Sequence, residues 1–324
     1  MASGVSIEIL DLRHFTAPQL RHLLEAESEI WKERLHWDYR SSVKLLMQYL
    51  DSRMLPGYGA LDSGQVTGYA FCVYEQAKAV IGDLFALSSP AGSAADIEET
   101  LLRHLLETLL NSPQIDRIES QLLFHPSGDH ASVFRENGFH LYRRLFMVHR
   151  LQAHESPAPV QLPAHLELRP WRDDDLTAAA RLISTAYAGH PDALINDQYC
   201  SVYGSQRFLH NIVRYAGCGA FCAPCSHVVA DRLSHEVVAL VLGSRVSPES
   251  GHITQLCVHP SLRRRGIARM LLGLAGHHFF RLGAAEISLT VTQANTEAVG
   301  LYRSEGYLVA HCFDAAVWDR ESAV

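Results

Sequence analysis

The residues with the most telling chemistry lie between Ile253 and Arg269, ITQLCVHPSLRRRGIAR. A strand pattern ends at Val258, Pro260 turns the chain, and Arg263-Arg264-Arg265-Gly266-Ile267-Ala268-Arg269 opens a helical pattern. The first amides of a helix have no intrahelical partner, and the helix dipole adds partial positive charge there. Gly266 and Ala268 keep side-chain bulk away from those amides, and the arginines add cationic field. The chemistry that suits this junction is binding of a pyrophosphate, mainly by backbone donors. Three arginines alone would be a solvated basic turn; the R-x-x-G-x-A spacing at a strand–loop–helix junction carries the reading. A second constellation is Cys218-x3-Cys222-x2-Cys225 with His227 close by, a spacing that could ligate an iron–sulfur cluster or zinc. It runs into a strand predicted over 220–230, where alternation sends Cys222 and Cys225 to opposite faces. Buried, unligated thiols and no metal are therefore expected, with a metalloprotein as the competing class.

Arg263, Gly266 and Ala268 occupy the three defining positions of a Q/R-x-x-G-x-G/A signature. Leu256-Cys257-Val258-His259-Pro260 precedes it, and Asn295-Thr296-Glu297-Ala298-Val299-Gly300-Leu301-Tyr302 follows, ending in Gly306-Tyr307. In these features, in this order, residues 164–320 resemble the GNAT N-acetyltransferase superfamily. The resemblance implies direct transfer of an acetyl group from acetyl-CoA to a primary amine of an unidentified small molecule or peptide. It also implies that parallel strands splay after the Leu-x-Val strand, so that Leu256, Cys257 and Val258 offer amides to pantetheine and to the acyl carbonyl. Such prepositioned donors stabilise oxyanion charge without reorganising. By the same resemblance the loop from Arg263 to Arg269 holds the pyrophosphate, and Asn295, with Ala298 beside it, meets the cofactor arm. Tyr302 lies near the thiol as the candidate acid. His252, at the start of the strand, is the candidate base, because imidazole titrates in the range an amine base needs. Acetyl-CoA binding without turnover, as a sensor or interaction scaffold, is the alternative. Thiol release across a panel of amines separates the two.

The elements that must position these residues can be read from periodicity. In the second half, strands are predicted over 166–169, 236–246, 253–258 and 286–291, with helices over 174–188, 205–215, 265–280 and 296–304. Ile267, Met270, Leu271 and Leu274 form one helical stripe; Phe208, Ile212 and Tyr215 form another. Gly306 suits a left-handed helix cap. The segment between helices, 188–203, supplies His190, Asp192, Asn196 and Tyr199 as groups that could meet a polar amine, if it is more than an ordinary polar loop. In the first half, Ile97, Leu101, Leu105 and Leu109 repeat the helical stripe, and Phe134–Phe139 parallels Tyr302–Tyr307 at an offset of 168 residues, which points to an internal duplication. That half departs from the pattern where it matters. Ser88–Asp96 contains no Arg or Gln, Asp96 puts negative charge at the helix start, Ser127 falls at the place of Asn295, and Phe134 replaces Tyr302.

The expected fold is thus mixed α/β, two tandem GNAT-like domains, each a twisted mixed sheet flanked by helices. The expected division is a degenerate domain over 1–152, a Pro-rich linker over 153–163 and a catalytic domain over 164–324. The chain has 324 residues, 48% of them hydrophobic, enough to bury two cores. With 28 Lys+Arg against 35 Asp+Glu, its net charge of −7 argues against nucleic acid as the main partner. Its apolar runs are too short to span a bilayer and its start lacks a secretory pattern. Seven cysteines without a disulfide framework favour a reducing cytoplasm.

Overall fold

The computed structural model describes residues 7–153, 160–215 and 219–320. The chain forms two compact units, one built from residues up to Arg143 and from Phe313 onward, the other from Arg144–Cys312. In chain order the first half holds β1 (Glu8–Asp11), α1 (Ala17–Leu35), α2 (Arg40–Asp51), β2 (Gly57–Asp62), β3 (Gln65–Glu75), β4 (Lys78–Ala86), α3 (Ala94–Leu110), β5 (Arg117–Gln121), α4 (Ala131–Glu136) and β6 (His140–Arg150). The second holds β7 (Leu166–Pro170), α5 (Leu176–Ala186), α6 (Pro191–Ile195), α7 (Val202–Arg214), β8 (Ala220–Phe221), β9 (His227–Asp231), β10 (Val237–Arg245), β11 (Ser250–Val258), α8 (Ile267–Arg281), β12 (Glu286–Thr292), α9 (Thr296–Ser304) and β13 (Leu308–Asp319).

The first unit pairs its strands in the order β1-β2-β3-β4-β5-β13, antiparallel except for the parallel β4–β5 pair. The second follows β7-β9-β10-β11-β12-β6, antiparallel except for the parallel β11–β12 pair. In each, the parallel pair is joined by the long helix, α3 or α8. The two units therefore repeat one plan, a mixed sheet with helices on it. They do not coincide with the halves of the sequence. Ala315–Asp319 of β13 pairs with β5 and closes the first sheet, while Arg144–Arg150 of β6 pairs with β12 and closes the second. The Pro-rich stretch 154–159 lies outside the described residues.

In the second unit, α8 buries Ile267, Met270, Leu271, Ala275 and Phe279 against Val241, Ile253, Ile287 and Leu289, with Leu274 only half-buried at the edge of the stripe. The helix reaches the sheet because β10 and β11 carry glycines beneath it. A Cβ at Gly243 or Gly251 would come within 2.8 or 2.6 Å of the Phe279 ring. On the opposite face, α5 and α7 cover Val228, Leu240, Leu242 and Cys257. The buried face of α7 is Ser205, Leu209 and Ile212; Tyr215 lies past the helix end, 60% exposed, so it is not part of the stripe. Helix α9 spans the predicted 296–304, and Gly306 just beyond it adopts φ +81°.

The predicted strand over 220–230 is corrected. After β8 the chain makes a 3-10 turn over Ala223–Cys225 before β9 begins. Pro224 lacks the amide a ladder needs, and the turn brings residues three apart to the same side. Cys222 and Cys225 thus do not point to opposite faces. Both are buried in the core under α8 and are joined as a disulfide with a Cα–Cα distance of 5.3 Å. Cys218 lies outside the described residues. No helix among the described residues is long and apolar enough to cross a membrane.

Candidate active site

Strands β11 and β12 pair only over Ser250↔Glu286 to Ile253↔Leu289, yet β11 continues to Val258 and β12 to Thr292. Beyond Ile253 the strands splay. Alternate backbone groups of a strand face opposite edges, so along Thr254–Val258 those turned toward β12 have no β12 residue to pair with. A cavity of about 450 Å³ opens in this wedge. Its walls include Leu256, Cys257, Val258, Arg263, Arg264, Gly266, Ile267, Ala268, Arg269, Asn295, Ala298 and Tyr302. Twelve of the fourteen positions nominated from the sequence as catalytic or cofactor-binding therefore meet in one concavity; Arg265 and His252 do not line it.

The floor of the cavity beside α8 is backbone. Helix α8 starts from Gly266 at φ +79°, with no side-chain cap and no acidic residue in its first turn. Arg264 also sits in the left-handed region, at φ 61°. Arg263 has a different job: Nη2 donates to the Ala186 carbonyl at 2.8 Å and Nε to the Val258 carbonyl at 3.4 Å, tying the end of α5 to the end of β11. Arg269 pairs with Glu305 at 2.6 Å and donates to Ser304, fixing α8 to α9. Asn295 caps α9, its Oδ1 accepting from the Ala298 amide at 3.2 Å, which leaves the side-chain NH2 outside that bond. The equivalent helix start in the first unit is closed. There Ser93 Oγ accepts from the Asp96 amide, and the Asp96 carboxylate accepts from the Ser93 amide and hydroxyl.

Tyr302 is 8% exposed on α9. Burial and the nearby Asp192 carboxylate push its hydroxyl well above the ordinary tyrosine range, so it holds its proton. Burial also raises the Cys257 thiol far above its usual range, which keeps it from acting as a thiolate nucleophile. Elsewhere on the wall, Tyr187 donates to Gln255 Oε1 at 3.1 Å and packs at a tilt against Tyr199, 4.5 Å between ring centres. The buried Gln255 Nε2 has no partner among the described residues. His190 and Asp192 line the cavity, with Nδ1 and Oδ2 3.6 Å apart. Asp192 also accepts from Thr292 Oγ1, and Arg144 reaches both, at 3.4 and 3.2 Å. Asn196 serves as a cap for the turn after α6, accepting from the Gln198 amide. His252 lies deeper in the sheet, 5% exposed, with Nδ1 2.9 Å from Ser288 Oγ and its ring parallel to Phe146. Burial lowers its pKa to about 3. Sequence reasoning missed Tyr187, Gln255, Arg144 and Thr292, which come from four separate elements and carry no local motif.

Residues 195–307 match the model of the acetyltransferase (GNAT) family. That segment is a GNAT acetyltransferase domain. It is 25% identical, over 98% of its length and 94% of the relative's, to a mycothiol acetyltransferase of Geodermatophilus obscurus. Among solved structures, a GCN5-related N-acetyltransferase from Sphaerobacter thermophilus superposes with a TM-score of 0.64 at 14% identity, covering 97% of this chain and 96% of that one. A tandem GNAT protein from the clavulanic acid biosynthesis pathway gives 0.58 at 13% identity, covering 97% and 99%. The chain is thus an acyltransferase with a tandem architecture, and the family-matched segment encloses the splayed strands and α8.

Proposed function

We propose that the Arg144–Cys312 unit transfers an acetyl group from acetyl-CoA directly to a primary amine of a small polar molecule or peptide, in the cytoplasm, and that the first unit is a degenerate acetyltransferase-like domain. One observation carries this reading: unpaired strand edge at Thr254–Val258, the uncapped start of α8 and the Tyr302 hydroxyl all border a single cavity. The amides of α8 and of the Arg264–Gly266 loop would take the pyrophosphate, and those of Leu256–Val258 the pantetheine and the thioester carbonyl, where they stabilise developing oxyanion charge. Asp192 at the far wall would attract the ammonium form of the acceptor. We assign its deprotonation to the His190–Asp192 pair rather than to His252, which is off the cavity and, being buried, resists taking up a proton. Attack of the free amine forms the C–N bond, the C–S bond breaks as Tyr302 donates to the departing thiolate, and the proton shed by the acylated nitrogen restores the tyrosine hydroxyl.

The similarity to a mycothiol acetyltransferase supports acyl transfer to a small polar acceptor of that general kind. The test is release of free CoA thiol from acetyl-CoA across amino acids, aminoglycosides, polyamines, cysteinyl sugar conjugates and peptide N-termini. Turnover with any of them, dependent on Tyr302, supports the proposal. Tight acetyl-CoA binding with no turnover across the panel favours the sensor reading.

A further inference from the structure

In the first unit, β4 and β5 repeat the splay. They pair from Lys78↔Arg117 to Ile81↔Ser120, and β4 then runs on to Ala86 without β5. In the second unit the corresponding edge faces a cavity; here the first unit's own side chains engage it. His125 Nε2 bonds the Leu84 carbonyl at 2.8 Å, and the Ala86 amide donates to Glu98 Oε1 at 3.2 Å. His130 stands immediately before α4, as Asn295 stands before α9. The three side chains, 7–12% exposed, converge on one point. His125 Nδ1 is 3.3 Å from His130 Nε2 and 3.8 Å from Glu98 Oε2, and His130 Nε2 is 3.5 Å from the same oxygen.

Those separations, 3.3–3.8 Å, can be compared with the edges of a coordination polyhedron. For zinc–ligand bonds of about 2.0–2.1 Å, a tetrahedron has edges of about 3.3–3.4 Å. The outer contacts are also those of a metal centre. A ligating imidazole gives its second N–H to a carbonyl, which fixes the tautomer and turns the other nitrogen's lone pair inward, and a ligating carboxylate is held by a further hydrogen bond. Leu84 and Ala86 do both.

We propose that Glu98, His125 and His130 form a divalent transition-metal site, zinc by donor set, in the place where the second unit holds its cavity. Two imidazoles and one carboxylate leave a fourth position for water. The site is structural in its effect: it joins the start of α3, the segment after β5 and the start of α4 across the splayed strands.

The experiment uses the full chain, stripped with chelator and titrated with zinc chloride, alongside Glu98→Gln and His130→Gln. The expected result is one zinc per chain, a raised melting temperature, and affinity lower by about 100-fold in each variant that keeps its native circular dichroism. X-ray absorption on zinc-loaded wild type reads the ligands without any variant, and two imidazoles with only oxygen otherwise are expected. Absence of stoichiometric zinc, sulfur ligation, or unchanged affinity in both variants overturns the proposal.

Discussion

His252 offers the sharpest test of how burial rather than residue type sets a role. It is 5% exposed, and its pKa falls from 6.5 to about 3 because the protein interior does not solvate an imidazolium. The sign follows from proton counting. Between pH 6.5 and 3 the unfolded chain binds the proton and the folded one does not, so stability contributed by neutral His252 is present above 6.5 and is lost as pH falls. Each pH unit is worth about 1.4 kcal/mol, so two units, from 6.5 to 4.5, remove about 2–3 kcal/mol through this one ring. His252→Asn keeps an amide near the position of Nδ1, able to bond Ser288, but has nothing to titrate. Loss of the ring should destabilise the variant at pH 7.5, and the gap to wild type should close by about 2–3 kcal/mol by pH 4.5. Hydrogen exchange of β11 and β12 peptides, wild type against variant at each pH, measures the gap where the residue sits. A gap constant with pH, or an imidazole titrating near 6 by NMR, refutes the argument. The same variant bears on catalysis: the acidic limb of kcat/KM should keep its position in His252→Asn, whereas His190→Gln should lower kcat. The opposite pattern would return the base role to His252.

Three further outcomes are expected. Tyr302→Phe should lower kcat by about 100-fold while leaving the acetyl-CoA Kd within about twofold, measured by steady-state kinetics and calorimetry, since the ring still packs against Tyr307. Calorimetry should find one acetyl-CoA per chain, because Ser93 and Asp96 already occupy the other helix start, and Gly266→Glu should abolish binding by filling the left-handed turn and adding repulsive charge. In the first unit, Glu27 is fully buried against Tyr69, Trp31 and Asp83, and its carboxyl is raised well above the usual range by burial and by the Asp83 charge. Stability held by its protonated form should fall as pH rises above the unfolded value near 4.5, and Glu27→Gln should flatten that decline in melting curves between pH 5 and 8.

What could be read from sequence was what is local. The R-x-x-G-x-A loop, the α9 span and the Gly306 cap each depend on residues within a turn or two, and the stripe of α3 recurs in Ile97, Leu101, Leu105 and Leu109, all buried. Cys222 and Cys225 were misplaced because alternation was extended through Pro224, which breaks a ladder. His252 was nominated by its distance along a strand, which says nothing of how deep in the sheet that strand end lies. The Arg144–Asp192–Thr292 cluster joins β6, α6 and β12, and no spacing rule links residues 48 and 100 positions apart. His125 and His130 did leave a trace, an H-x4-H segment, but Glu98 completes the cluster only through the fold.

The last strand has a temporal meaning. Ala315–Asp319 closes the sheet edge at β5, where Asp319 also pairs with Arg117 at 2.7 Å, and Arg320 bonds the carbonyls of Ser112 and Ile115. Nearly two hundred residues separate these partners along the chain. During synthesis at about 5–20 residues per second, the β5 edge waits roughly 10–40 s before its partner strand is made, and longer until that strand clears the ribosome. Over that interval an unpaired edge can recruit other strands. A chain ended at the Pro-rich segment would never relieve it. Strand β13 thus acts as a completion check: only a chain that has reached it closes the sheet at β5, and one that stops earlier keeps that edge unpaired.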